Sequence, residues 1–102
     1  MSKLTETRDL LKDLISYPTV SSDSNLACIG YLADRLERAG ARVEVLSDET
    51  GAKANLWATI GPDVDGGIIL SGHSDVVPVE DQDWTSDPFA MVERDGALFG
   101  RG

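Results

Sequence analysis

Apolar residues near the start of the chain recur at steps of three and four, the spacing of one helix face. Four of these positions predict a first helix that runs to about residue 16: Leu10, Leu11, Leu14 and Ile15. Thr5 or Thr7 is expected to cap its start. Tyr17 and Pro18 are expected to end it, because the residue before a proline avoids the helical region.

A second helical pattern follows the Ser- and Thr-rich stretch 19–23. Its apolar positions are Leu26, Ile29, Ala33, Leu36 and Ala39. Ser22 or Ser24 can accept hydrogen bonds from the free N–H groups at its start. Gly40 is expected to end this helix, because glycine readily takes the left-handed conformation that follows many helices.

Beyond Gly40 the pattern predicts three strands, Arg42–Leu46, Asn55–Ile60 and Gly67–Leu70. The first alternates between apolar and polar residues, as edge or half-exposed strands do. The third is a short continuous apolar run, typical of a central strand covered on both faces, although a buried helix segment has the same pattern.

A hairpin is predicted near the end of the chain, with strands Met91–Glu93 and Ala97–Phe99 around Asp95 and Gly96, which tolerate positive φ. The polar stretches 61–66 and 80–87 read as surface loops. Two helices followed by a mixed sheet predict an α/β layered fold rather than a bundle or a sandwich.

Composition and charge exclude several classes of protein. The 102 residues are 41% hydrophobic and 26% charged, as in ordinary globular domains. A net charge of −9 argues against nucleic acid and against an anionic membrane surface as partners. No segment reads as a signal peptide or a membrane span, and the one cysteine can form no internal disulfide, so we expect a cytoplasmic protein.

One pair of residues suggests chemistry. His73, the only histidine, follows the third predicted strand, and Asp75 lies two residues later. In an extended segment the two side chains project to the same side, so Asp75 can orient the imidazole and raise the basicity of its other nitrogen toward a metal. Ligands of open α/β sheets bind at this end of the strands. Taken alone, the pair is a weak signal, and a loop histidine beside an acid is the favoured interpretation.

Other residues have structural interpretations. Cys28 lies inside the second predicted helix and is expected to be a packing thiol rather than a nucleophile. Trp57, on a strand, is expected in the core, and Trp84 is expected to pin the loop around it, with the lining of a pocket as the alternative for both. Arg101 is expected to form a structural salt bridge, with contact to a substrate carboxylate as the alternative.

Several spaced blocks resemble a known family. They are Leu70–Pro78, Trp84–Phe89 and Arg94–Gly102. In this order they resemble the opening block of the metal-dependent deacylase and peptidase family that contains acetylornithine deacetylase, succinyl-diaminopimelate desuccinylase, aminoacylase and carboxypeptidase G. Tyr17–Ser22 and Lys53–Ala58 look most like the acetylornithine deacetylase branch. The resemblance spans essentially the whole chain.

The resemblance implies a three-layer α/β/α zinc-peptidase-like catalytic domain with a mixed sheet, of which residues 1–102 are a truncated amino-terminal part. It implies that His73 is a zinc ligand and that Asp75, counted with the catalytic residues, orients it. The family uses one or two zinc ions, with cobalt as a substitute. Its bridging aspartate, paired glutamates and later ligands do not occur here, so this piece is expected to be inactive by itself.

The same resemblance implies hydrolysis of an N-acyl amino acid, most specifically N-acetylornithine, to ornithine and acetate. It also implies a parent homodimer, formed through a lid and dimerisation domain that this chain lacks. Succinyl-diaminopimelate desuccinylase, or another deacylase or dipeptidase of the family, is the alternative within this class. A non-catalytic α/β binding module, in which His73 and Asp75 are only structural, is the alternative of a different class.

Overall fold

The computed structural model describes residues 2–102, which form two helices and two pairs of antiparallel strands. In chain order the elements are α1 (Lys3–Ser16), α2 (Leu26–Arg38), β1 (Arg42–Ser47), β2 (Ala54–Thr59), β3 (Val92–Arg94) and β4 (Ala97–Phe99). The chain divides into two compact units. The terminal unit combines Met1–Ser22, described from residue 2, with Asp75–Gly102, and the central unit is Asp23–Ser74. The α/β class predicted from the sequence is confirmed.

The central unit packs α2 against the β1–β2 pair. Its buried residues are Cys28 and Ile29 on the helix and Ala54 on β2. The Asn25 side chain joins the helix start to β2, since it donates to the Ala54 carbonyl and accepts from the Ala54 N–H, both at 2.9 Å. These paired bonds close the apolar face of the helix over the strands.

Two predicted features of the second helix are confirmed. The Ser24 hydroxyl accepts from the Leu26 N–H at 3.3 Å, so Ser24 serves the helix start as one of the two predicted serines. Gly40 follows the helix end with φ +94°, a conformation that costs glycine little because it has no Cβ.

The strand β1 pairs only with β2 in the described sheets, which confirms its prediction as an edge strand.

Two predictions for the central unit are wrong. Gly67–Leu70 is not a strand, and Ile68, Ile69 and Leu70 are 89%, 74% and 93% exposed. A continuous apolar run becomes a central strand only when neighbouring strands bond its backbone and helices cover both faces, and no described residues do this. Trp57, expected in the core, is 49% exposed, because alternation along β2 places it on the opposite side of the sheet from the buried Ala54.

In the terminal unit, α1 begins one turn earlier than the caps predicted from the sequence. Ser2 is the N-cap, and its hydroxyl accepts from the Thr5 N–H at 3.2 Å. Thr5 and Thr7 lie inside the helix, where the Thr7 hydroxyl donates to the Lys3 carbonyl at 2.8 Å. The helix ends at Ser16, before the Tyr17–Pro18 pair as predicted.

The hairpin β3–β4 confirms the sequence prediction at its turn. Arg94 pairs with Ala97, and the two residues between them, Asp95 and Gly96, have φ of 52° and 78°. Positive φ at both central residues is the geometry that matches the twist of a two-residue hairpin. An ion pair between Arg8 and Glu93 joins the helix α1 to this hairpin.

The described sheets are antiparallel, and among residues 2–102 parallel pairing occurs at one isolated bridge between Val20 and Val76. The mixed sheet in three layers, expected for a complete domain, stays a prediction. Within the described part of the chain, neither helix has the length and apolar character needed to span a bilayer.

Candidate active-site segment

His73 lies in the irregular segment that follows the exposed apolar run of the central unit. Residues 67–74 have no helix or strand, and the His73 side chain is exposed. The segment therefore does not present His73 at the end of a formed strand. His73 follows an apolar run, as the sequence predicted, but the predicted strand Gly67–Leu70 before it is not formed.

Asp75 begins the second segment of the terminal unit, and it is held there by contacts to residues near the start of the chain. The Ser21 hydroxyl donates to Asp75 Oδ2 at 2.5 Å. The backbone on either side is fixed as well: the Val76 N–H donates to the Thr19 carbonyl at 2.9 Å, and the Ser21 N–H donates to the Val76 carbonyl at 3.1 Å. Thr19 is buried, so this junction is anchored in the interior of its unit.

Ser21 is a residue that sequence reasoning missed. The sequence places it in a polar stretch where a serine is expected to face water or cap a helix. Its partner Asp75 is 54 residues away, so no local spacing could show the contact. A hydroxyl bonded to one carboxylate oxygen limits the rotation of the carboxyl group, which suits Asp75 for orienting a neighbouring group.

The boundary between the two units falls between Ser74 and Asp75. His73 and Asp75 therefore belong to different units, although one residue separates them. The predicted orientation of His73 by Asp75 stays a prediction.

The described donor groups do not complete the zinc site predicted for His73. A neutral imidazole is a normal zinc ligand, but a catalytic zinc needs about three protein ligands. No cluster of three or more His, Cys, Asp or Glu side chains able to hold a metal ion exists among residues 2–102. The described residues do not by themselves form a zinc site, and His73 fits at most one coordination position.

Cys28 is not placed for chemistry. It is 3% exposed, and burial raises the pKa of its thiol above the usual value. A raised pKa leaves less of the reactive thiolate at neutral pH. The prediction of a packing thiol is confirmed.

Within residues 2–102, Arg101 does not form the salt bridge expected from the sequence. Its guanidinium lies over the Trp84 ring, 5.1 Å from the centroid, and its Nη2 donates to Gln82 Oε1. The backbone N–H of Arg101 also donates to the Pro88 carbonyl at 2.8 Å. Trp84 thus connects the loop 80–87 to the end of the chain, which confirms its prediction as a loop-pinning residue.

Comparison with known proteins agrees with the resemblance. Residues 69–102 match the family described as Peptidase family M20/M25/M40, a segment that includes His73 and Asp75. The succinyl-diaminopimelate desuccinylase of Bordetella pertussis is 46% identical over 95 residues, which are 92% of this chain and 24% of that protein. The acetylornithine deacetylase of Proteus mirabilis is 41% identical over 101 residues, covering 92% of this chain and 26% of that protein.

A succinyl-diaminopimelate desuccinylase of Xylella fastidiosa is 45% identical over 100 residues, with 97% of this chain covered. The resemblance to the metal-dependent deacylase and peptidase family is therefore confirmed. The chain spans about a quarter of the length of the relatives that it matches. These relatives include both desuccinylases and acetylornithine deacetylases, so the similarities do not distinguish an N-succinyl from an N-acetyl substrate.

Proposed function

Because residues 69–102 match the family described as Peptidase family M20/M25/M40, we propose that this chain is the amino-terminal part of the catalytic domain of a metal-dependent amide hydrolase. The similarity to two named deacylases over nine tenths of the chain supports this proposal. Under it, the remaining metal ligands and the general base come from residues beyond Gly102.

The observation that carries the proposal is the His73-x-Asp75 segment inside the family match, with Asp75 held by a hydroxyl of its own unit. His73 would supply one imidazole ligand to zinc, and Asp75 would fix the ring orientation. The Ser21 hydroxyl would in turn orient the Asp75 carboxylate. The bridge between Val20 and Val76 would hold the backbone of Ser21 beside that of Asp75.

We propose an N-acyl amino acid as substrate. N-acetylornithine is the first candidate because Tyr17–Ser22 and Lys53–Ala58 resemble the acetylornithine deacetylase branch. An N-succinyl amino acid is the second, favoured by the 46% identity to a desuccinylase. For the first candidate the products are acetate and ornithine, in arginine biosynthesis. The proposed enzyme is cytoplasmic and dimeric.

The test is to express the complete reading frame and to assay the purified protein with N-acetyl-L-ornithine and N-succinyl-L,L-diaminopimelate at equal concentrations. We expect hydrolysis of at least one of them, loss of activity with a chelator, and recovery with zinc. The ratio of the two kcat/KM values assigns the substrate. Absence of hydrolysis of either amide, or full activity in the presence of the chelator, would contradict the proposed function.

A further inference from the structure

Trp84 and Arg101 stack on each other and form the Trp84–Arg101 pair. Hydrogen bonds from neighbouring residues hold this pair in place. Gln82 accepts from Arg101 Nη2, and its own side-chain amide donates to the Pro78 carbonyl at 3.1 Å. The backbone carbonyl of Gln82 also accepts from the backbone N–H of Trp84 at 3.0 Å. The guanidinium and the indole are therefore held in one arrangement by a single glutamine and by the stacking itself.

Each member of this pair has a buried N–H donor without an acceptor. In the described part of the chain, Trp84 Nε1 and Arg101 Nε are shielded from solvent and have no hydrogen-bond partner. Nearly all buried donors in folded proteins are satisfied, and those that are not call for a bound water, an ion or a functional role. Two such donors on stacked side chains indicate that a group with acceptor oxygens belongs there.

The charge at the pair indicates the class of this group. Arg8 and Arg38 each pair with a carboxylate, whereas Arg101 has no ion pair within residues 2–102. A partly buried guanidinium without a counter-charge favours binding of an anion. Because the flanking loop carries Asp81 and Asp83, a singly charged anion is repelled less than a doubly charged one.

We propose that the Trp84–Arg101 pair is a binding site for a carboxylate anion. The two carboxylate oxygens accept from Trp84 Nε1–H and Arg101 Nε–H, which satisfies both donors and neutralises the guanidinium. Gln82 holds the guanidinium in place through Nη2. This site involves neither His73 nor a metal, so it goes beyond the proposed hydrolase function and is tested independently of it.

The test uses nitrogen-15 NMR of the chain with Trp57→Phe, so that one indole signal, that of Trp84, remains. This chain also carries Ile68→Thr and Leu70→Thr, which replace two exposed apolar residues and reduce self-association at the concentration that NMR needs. Sodium acetate is titrated against sodium chloride at equal ionic strength. We expect acetate to shift the Trp84 Nε1–H and Arg101 Nε–H signals along one saturating curve, and chloride to leave both in place. Arg101→Lys keeps the positive charge but removes the Nε–H donor, and it should weaken acetate binding about tenfold.

Arg94→Lys is the matched control, because Arg94 also stacks on a ring, that of Phe99 at 4.7 Å, and donates to the Thr85 hydroxyl. Its acetate affinity should equal that of the Trp57→Phe chain. If Arg101→Lys loses the dispersed amide spectrum of the folded chain, Trp84→Phe replaces it, with Arg101 Nε–H as the reporter and the same expected loss. Shifts that do not saturate, that occur equally with chloride, or that persist unchanged in the Arg101 or Trp84 variant would overturn the proposal.

Discussion

The interaction most relevant to function at the residue scale is the hydrogen bond from Ser21 to Asp75. It connects a serine near the start of the chain to the acid of the His73-x-Asp75 segment. In metal enzymes, residues behind the ligands set ligand orientation and are often as important as the ligands. Ser21 would act on His73 only through Asp75, so under the proposed function it is a positioning residue.

We predict that Ser21→Ala in the full-length protein lowers zinc affinity about tenfold, because Asp75 loses the hydroxyl that limits its rotation. Competition with a fluorescent zinc chelator measures this affinity. Ser22→Ala, at the neighbouring exposed position, is the control and should leave it unchanged. Equal zinc affinities of the Ser21 and Ser22 variants would show that Asp75 does not need this contact.

At the element scale, the sequence predicts well those features that neighbouring residues determine. Proline and glycine chemistry predicts the carboxyl-terminal ends of the two helices and the Asp95–Gly96 turn. Alternation of apolar and polar residues predicts the edge strand β1. The N-cap Ser2 was not predicted because three residues with hydroxyl groups, Ser2, Thr5 and Thr7, lie close together at the start of the helix. Each of them can accept a hydrogen bond from a nearby backbone N–H.

Features that depend on distant residues could not be predicted in the same way. An apolar run such as Ile68–Leu70 is compatible with a buried strand only if partners exist, and periodicity carries no information about partners. The exposure of Trp57 depends on which face of the two-stranded sheet α2 covers. Likewise, the stacking of Arg101 on Trp84 instead of a salt bridge depends on contacts between residues 17 positions apart or more.

Two glycines give a test of the packing of these elements. A Cβ at Gly100 would lie 2.9 Å from Ile15 Cγ2, and Ile15 is a buried residue of α1, so Gly100→Ala should destabilise the terminal unit by about 1–3 kcal/mol. Gly30 lies on the exposed face of α2 with nothing within 4 Å of a Cβ, and Gly30→Ala should stabilise the central unit by about 1 kcal/mol. Urea denaturation measures both.

The opposite signs separate packing from backbone effects. Replacement of glycine by alanine reduces the entropy of the unfolded chain in both variants, so only the contact with Ile15 predicts a loss. Stabilisation by Gly100→Ala would show that Gly100 does not pack against α1 in solution.

At the scale of the whole molecule, the main feature is apolar surface without cover. Ile68, Ile69 and Leu70 are largely exposed, and they are consecutive, so they form a continuous apolar segment. Such segments in soluble proteins mark interaction surfaces or aggregation-prone sites. In the proposed full-length hydrolase, further strands and helices would cover this segment as the central strand predicted from the sequence.

We predict that the chain as given binds a hydrophobic dye and self-associates at micromolar concentration, because a charge of −9 opposes but does not remove contacts between apolar segments. Ile68→Thr combined with Leu70→Thr should reduce dye fluorescence and association. Val64→Thr, also at an exposed apolar position of the central unit, is the control and should change neither. Sedimentation velocity measures the association. A monomeric chain that binds no dye would contradict this interpretation.

The most direct test of the central claim is the zinc content of the full-length protein with His73→Ala, measured by mass spectrometry after dialysis, beside its hydrolysis of N-acetylornithine. Ser71→Ala, at an exposed position two residues earlier, is the control. We predict that His73→Ala loses bound zinc and at least ~100-fold of its activity, while Ser71→Ala retains both. Normal zinc content and normal hydrolysis in His73→Ala would contradict the assignment of His73 as a metal ligand.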